Sequence, residues 1–145
     1  MPLSGEYVPS PTQAVREQIA LYEQTGGREG NTVGGAPIVV LTTIGARSGG
    51  VRKNAVMRVE HGGVYAVVAS AGGRPAHPLW YHNLVAHPAA DLQDGPTARS
   101  MRVHEAHGAE RDTWWARAVE AWPAYADYRR STDRQIPVMV LEPDE

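Results

Sequence analysis

Gly45, Gly49 and Gly50 punctuate a loop that follows the apolar run Val39-Val40-Leu41, and Arg47, Ser48 and Arg52 stand among them. Glycines permit tight backbone geometry that turns N–H groups outward, the hydroxyl adds a donor, and the arginines add fixed positive charge. The chemistry of such a stretch, IVVLTTIGARSGGVRKN over residues 38–54, is the binding of an anion. A second set is aromatic. Trp122, Tyr125 and Tyr128 recur every three residues across Pro123, so a helix would carry them as one stripe with phenol hydroxyls at its edge. With Asp127, Arg129 and Arg130 beside it, the stripe suits a partly exposed pocket wall, and core packing is the plain alternative. Trp80-Tyr81, after Pro78, is a further aromatic pair open to the same two readings.

Other chemistries find no support. The six histidines form no HxxxH pair with a carboxylate, and His82 and His87, five apart, fall on different faces of a helix, so no metal site is expected. GxSxG, Walker and GxGxxG motifs are absent, which leaves serine-nucleophile hydrolysis and phosphoryl transfer without a basis. There is no cysteine, hence no thiolate nucleophile and no disulfide framework. A net charge of −2 gives no global attraction for nucleic acid or an anionic membrane, so any basic site is local, at Arg47, Arg52 and Lys53. No apolar run has the length of a membrane span and the first residues lack the apolar core of a signal peptide. A soluble cytoplasmic protein is the expectation, with peripheral membrane contact left open.

The elements that must position these residues follow from patterning. A chain of 145 residues is expected to form one domain, residues 1–145, with a sizeable core. Residues 1–11, with three prolines, read as a loose lead-in without function. Thr12 caps a helix over 12–25 that has Val15, Ile19 and Tyr22 at helical spacing and ends at Gly26-Gly27; residues 26–35 are a connector. Core structure spans 36–143. The opening strand and loop lead into an alternating strand, Val51 to His61, then a Gly62-Gly63 hairpin and the strand VYAVVAS. LWYHNLVAH forms a short helix, AADLQ and TARSMRVHEA form strands joined at Asp94-Gly95, and helices over 109–122 and from Pro123 to about Arg130 precede a strand from Ile136 to Leu141. This order suits a small antiparallel barrel or α+β roll.

With these stretches in view the chain resembles the deazaflavin-dependent nitroreductase family. The likeness covers about Ile38 to Pro143 and rests on LTTIGARSGGVRKN, VASAGG, HPLWYHNLVAHP, WPAYADY and STDRQIPVMVLEP, all in family order. It implies an α+β, mainly antiparallel split β-barrel of the FMN-binding type, with the reduced deazaflavin coenzyme F420 (an 8-hydroxy-5-deazaflavin) as cofactor. It also implies transfer of a hydride to an electron-poor acceptor: a quinone, an activated alkene or a nitro compound. By resemblance, Ala46, Arg47, Ser48, Arg52 and Asn54 hold the cofactor's phosphate and acidic tail. Val68, Ala69 and Ser70 border the ring, and Leu79, Trp80 and Tyr81 contact the ring or its ribityl chain. Met57, Trp122, Tyr125 and Tyr128 form the substrate side, and Tyr125, Tyr128 and Ser70 are the catalytic candidates, for orienting or protonating the acceptor. The chain departs from the family pattern at Ala46 and Ala71, where basic residues are common, and at Met57, His77 and Trp122. A non-catalytic deazaflavin carrier and an FMN-binding split barrel are the alternatives.

Overall fold

Runs of Val, Ile and Leu make much of this chain into strand, and the strands close on one another. The computed structural model describes residues 3, 5–73 and 75–144. Helix α1 (Gln13–Thr25) and a short β1 (Thr32–Val33) lead into β2 (Ala36–Ile44), β3 (Val51–Met57), β4 (Val59–His61) and β5 (Val64–Val68). A 3-10 turn over Ala71–Gly73 precedes α2 (Leu79–Ala86); β6 (Ala89–Asp94), β7 (Thr97–Glu105), α3 (Gly108–Ala121), α4 (Ala124–Ser131) and β8 (Val138–Pro143) follow.

The strands pair antiparallel in the order β3-β2-β6-β7-β8-β5-β4, with β1 folded back on the start of β2. β3 and β4 stand at opposite ends of that order, yet only Arg58 separates them in the chain. The sheet therefore curls until its two edges meet on one run of backbone. The result is an α+β split barrel.

β2 explains why its sequence is continuously apolar: both of its faces are buried. Val39 and Leu41 point into the barrel with Val67, Leu92, Met101 and Leu141, and α2 plugs one mouth with Trp80 and Leu84. Ile38 and Val40 point outward and are covered by Ile19 and Tyr22 of α1. On the far side Trp114 and Trp115 of α3 and Tyr125 of α4 cover Val68, Val138 and Val140. Among the described residues no helix is long and apolar enough to cross a membrane.

Several boundaries differ from the sequence reading. The expected single strand from Val51 to His61 breaks at Arg58, where the chain leaves β2 and joins β5. There the Arg58 amide donates to the Pro37 carbonyl at 3.0 Å, and its Nε donates to both Asp94 oxygens at 2.9 and 3.0 Å. Asp94 consequently stays in β6, opposite Thr97, and the turn is Gly95-Pro96, with Gly95 at a φ of 65°. The connector contains β1. β8 starts at Val138, not Ile136, because Pro137 has no N–H for the ladder. The Gly26 helix end stands as expected, at a φ of 61°, whereas Thr12 accepts the Arg16 amide with its backbone carbonyl, not its side chain.

Tyr65 donates to the same Asp94 carboxylate. Burial first, then that hydrogen bond, pushes the phenol up to about 12. A folded value above the unfolded one, about 10, means its contribution to stability is complete below about pH 10 and is lost as pH rises toward 12. Tyr65→Phe is therefore expected to be less stable than the parent at neutral pH, with the difference in urea midpoint shrinking through that alkaline window.

Candidate functional site

The glycine-rich loop is the turn of the β2–β3 hairpin, closed by the Ile44–Val51 pair. The Gly45 amide donates to the Gly50 carbonyl at 2.7 Å, the Gly49 amide to the Gly45 carbonyl at 3.0 Å, and the Gly50 amide to Ser48 Oγ at 3.1 Å. The Ala46 amide reaches across to Asn83 Oδ1 on α2 at 2.9 Å, and Asn83 Nδ2 donates to Thr43 Oγ1 at 3.0 Å. The glycines thus spend their amides inside the loop instead of offering them outward. The amides left without a protein partner among the described residues are those of Arg47 and Ser48, at the exposed tip.

Register sorts the basic residues of β3 onto two faces. Arg52 lies opposite Thr43, Asn54 opposite Leu41 and Val56 opposite Val39, on the face that looks into the barrel and toward α2. Lys53 points the other way and pairs with Glu23 of α1 at 2.6 Å. The local basic cluster of three expected from sequence is therefore a pair, Arg47 and Arg52, because a strand sends neighbouring side chains to opposite sides. Neither arginine makes an ion pair within the described residues.

Farther along β3, from Ala55 through Val56 to Met57 and so from both faces of the strand, lies the wall of a cavity of about 280 Å³. Val56, Met57 and Val68 form its sheet wall, Trp80 its wall from α2, and Ser70, Ala71 and Gly72 its rim. Trp122, Tyr125 and Tyr128 line the remaining side. They are not one helical stripe: Trp122 ends α3 with extended backbone, φ −144° and ψ 91°, and α4 starts only at Ala124. Proline at 123 enforces that break, and the freed Trp122 indole lies against Gly34, where an added Cβ would come within 2.7 Å of it. Strand rise puts Arg52 about 13 Å from Val56.

Val68, Ser70, Met57, Trp80, Trp122, Tyr125 and Tyr128 thus share one cavity. Ala69 sits beneath it, buried in the barrel core. Leu79 lines a broader, open depression of about 620 Å³ that shares Ala71, Gly72 and Pro78 with the cavity. Tyr81 stands apart from both, its hydroxyl donating to Glu105 at 2.9 Å. Ala46, Arg47, Ser48 and Arg52 form the distant loop end, and Asn54 lies on β3 between that end and the cavity.

The rim is a strained turn. Ala71 has a φ of 48°, left-handed backbone that a non-glycine residue adopts at a cost of order 1 kcal/mol, and Gly72 and Gly73 continue at 65° and 81°. Arg134 holds it: its guanidinium donates to the carbonyls of Ala69 at 3.0 Å and Ser70 at 2.6 Å, and to His77 Nδ1 at 2.8 Å. Arginine has no acceptor, so Nδ1 of His77 must accept and its proton sits on Nε2. Burial first, then the Arg134 charge, holds His77 below its usual value, which keeps it neutral. Burial raises the Tyr125 phenol far above its ordinary value, and no protein group accepts or donates at its hydroxyl within the described residues.

Asn83, Arg134 and Val56 were not singled out by sequence reasoning. Asn83 and Arg134 lie in the quoted stretches HPLWYHNLVAHP and STDRQIPVMVLEP, but their partners are 40 and 65 residues distant, and no local pattern predicts such pairings.

Comparison with known proteins agrees with this arrangement. The sequence profile described as F420H(2)-dependent quinone reductase matches residues 14–143. The chain is 36% identical over 135 residues, 89% of each chain, to an F420H(2)-dependent quinone reductase of Mycobacterium tuberculosis. Among solved structures it is similar to an F420-H2 dependent reductase, with 50% identity and a TM-score of 0.70 over 73% of this chain and 94% of that one. It is similar also to a chain described as a domain-swapped dimer, with 49% identity and a TM-score of 0.72 over 92% of this chain and 100% of the other. With its barrel, its loop and nearly its whole length matched, the chain belongs to the F420H(2)-dependent quinone reductase family.

Proposed function

We propose that this protein reduces a quinone-type acceptor with F420H2, the acceptor stacking on the deazaflavin ring in the cavity between Trp80 and Tyr125. The observation that carries this reading is one strand, β3, which bears the uncommitted cation Arg52 and, about 10–13 Å farther along, the Ala55–Met57 wall of an aromatic cavity. The residues present fit the cofactor. Val56, Val68 and Trp80 give an apolar slot suited to a flat ring, and Arg47 and Arg52 lack carboxylate partners, as a site for a phosphate-bearing tail requires.

When bound, the reduced deazaflavin supplies the hydride. The chain's own part is position and electrostatics. Trp80 and Val68 hold one face of the slot, and the aromatic side chains opposite limit water at the reacting face. Ser70 Oγ, at the rim, accepts only a long 3.4 Å hydrogen bond from the Gly72 amide, so its own proton is available to a ligand. Tyr125 holds its proton throughout the neutral range, because burial raises it, and therefore donates a hydrogen bond to an acceptor oxygen without giving the proton up. The proton that completes reduction enters from solvent at the open rim.

Tyr125→Phe is expected to lower kcat/KM for a quinone about 2- to 12-fold, the range for one neutral hydrogen bond. No new limb should appear in the pH profile between about pH 6 and 9, since the phenol does not titrate there. The deciding experiment for the whole reading is equilibrium titration with F420 and with FMN, followed by addition of menadione to the F420H2 complex while the cofactor's visible absorbance is monitored. Preferential F420 binding and quinone-dependent oxidation are expected. A preference for FMN overturns the cofactor assignment; tight F420 binding with no turnover makes the protein a carrier.

A further inference from the structure

The first residues, read from sequence as an inert lead-in, are tied to the anion loop. The Val8 amide donates to the Val51 carbonyl at 2.8 Å and the Val51 amide donates to the Glu6 carbonyl at 2.7 Å. Tyr7 forms a parallel bridge with Val51 between these two bonds. The approach is close: a Cβ at Gly50 would lie 2.6 Å from Val8 Cγ2 and 3.1 Å from the Glu6 carbonyl, and a Cβ at Gly5 would lie 3.1 Å from the Gly49 carbonyl. Gly50 lies outside the left-handed region, so contact with this segment, and not backbone conformation, accounts for its missing side chain. Two further ties hold the segment to the body. Tyr7 lies 5.0 Å beneath the Lys53 ammonium, which is itself paired with Glu23 of α1, and the Leu3 amide donates to Asp91 Oδ2 at 2.8 Å.

The loop is therefore held on both legs. Asn83 fixes the first leg through Ala46, and Gly5–Val8 fixes the last through Val51, immediately before Arg52. We infer that Gly5–Val8 is a positioning strap that sets the loop tip and Arg52 for the anionic tail of the cofactor, leaving the ring cavity untouched. This rests on the proposed reading of the loop as the tail's site. The strap touches Gly49, Gly50 and Val51, whereas the cavity begins at Ala55, so its effect falls on one end of the ligand only.

The test compares F420 with the same deazaflavin riboside lacking the phosphate-bearing tail, in the parent protein, a deletion of residues 1–8, Val8→Pro and Arg52→Ala. Val8→Pro removes one donor N–H and leaves the rest of the chain intact, so it answers the question even where the deletion impairs folding. The strap variants are expected to lose F420 affinity about 5- to 20-fold, as one or two lost hydrogen bonds would produce, and to bind the tail-less riboside as the parent does. Thermal unfolding, followed in parallel, is expected to stay cooperative. Loss of F420 affinity in Arg52→Ala but not in the strap variants overturns the strap. Equal loss of both ligands in the strap variants overturns it too, by reducing the segment to general support of the fold. If the parent does not discriminate F420 from the riboside, and Arg52→Ala changes neither, it is the reading of the loop itself that fails.

Discussion

Arg52→Ala is expected to raise the Kd for F420H2 roughly 10- to 150-fold, equivalent to about 1.5–3 kcal/mol, the range for a hydrogen bond to a charged group. The magnitude follows from where Arg52 stands. It is half-buried on the barrel-facing side of β3, has no carboxylate partner among the described residues, and lies along the strand from the cavity wall at Val56. A cation with no internal partner has lost little by being placed there and gains a full charge-assisted pair when a phosphate arrives. Because the partner is ionic, rising ionic strength should weaken the parent's binding more than the variant's. Arg102→Ala, which removes the same charge from an exposed pair with Glu142, is the control and is expected to leave the Kd unchanged. Fluorescence titration at two salt concentrations measures both effects, and an unchanged Kd for Arg52→Ala removes that residue from the site.

Asn83→Leu is expected to cost about 2–4 kcal/mol of stability and to weaken F420 binding as well. The side chain is buried and makes two bonds with different tasks: it accepts from the Ala46 amide, holding the β2–β3 loop, and it donates to Thr43, which is 0% exposed. Leucine of similar size leaves both partners without a bond, and each unsatisfied group costs about 1–3 kcal/mol. The two tasks separate in a double variant. Adding Thr43→Val removes the stranded hydroxyl and should restore about half of the lost stability, since replacing both partners with apolar groups of like shape is nearly neutral. It should not restore cofactor affinity, because the Ala46 amide still lacks its acceptor. Urea denaturation and Kd measured on the same three proteins give the answer. Recovery of both quantities together would mean that the loop does not depend on Asn83.

The two variants also show which parts of the site were legible in the chain. Arg52 belongs to a stretch whose residue types announce their chemistry: glycines, a hydroxyl and arginines after an apolar strand. Asn83 looks, in sequence, like one polar residue in a short helix. Its importance arises because α2 plugs the barrel beside the end of β2 and brings residue 83 against residues 43 and 46. In the same way Arg134, read only as part of STDRQIPVMVLEP, acquires its task by reaching the Ala69 and Ser70 carbonyls and His77. Trp122, Tyr125 and Tyr128 were recognisable by spacing as a set. Pro123 gives Trp122 its extended backbone, but that its indole then lies against Gly34 and lines the cavity was decided only by the fold.

By itself the sequence determined most element types and the hairpins, and it pointed to residues 38–54 as a candidate anion site, because helix period, strand alternation and glycine turns are properties of neighbours in the chain. It also carried the family likeness, and so the split barrel and its cofactor. Only the tertiary structure decided that Lys53 faces away from Arg52, that the glycine amides are spent within the loop, and that Gly5–Val8 backs it. Those outcomes depend on strand register and on packing between segments far apart in sequence. Burial and the pairing of polar groups are settled only when the barrel closes.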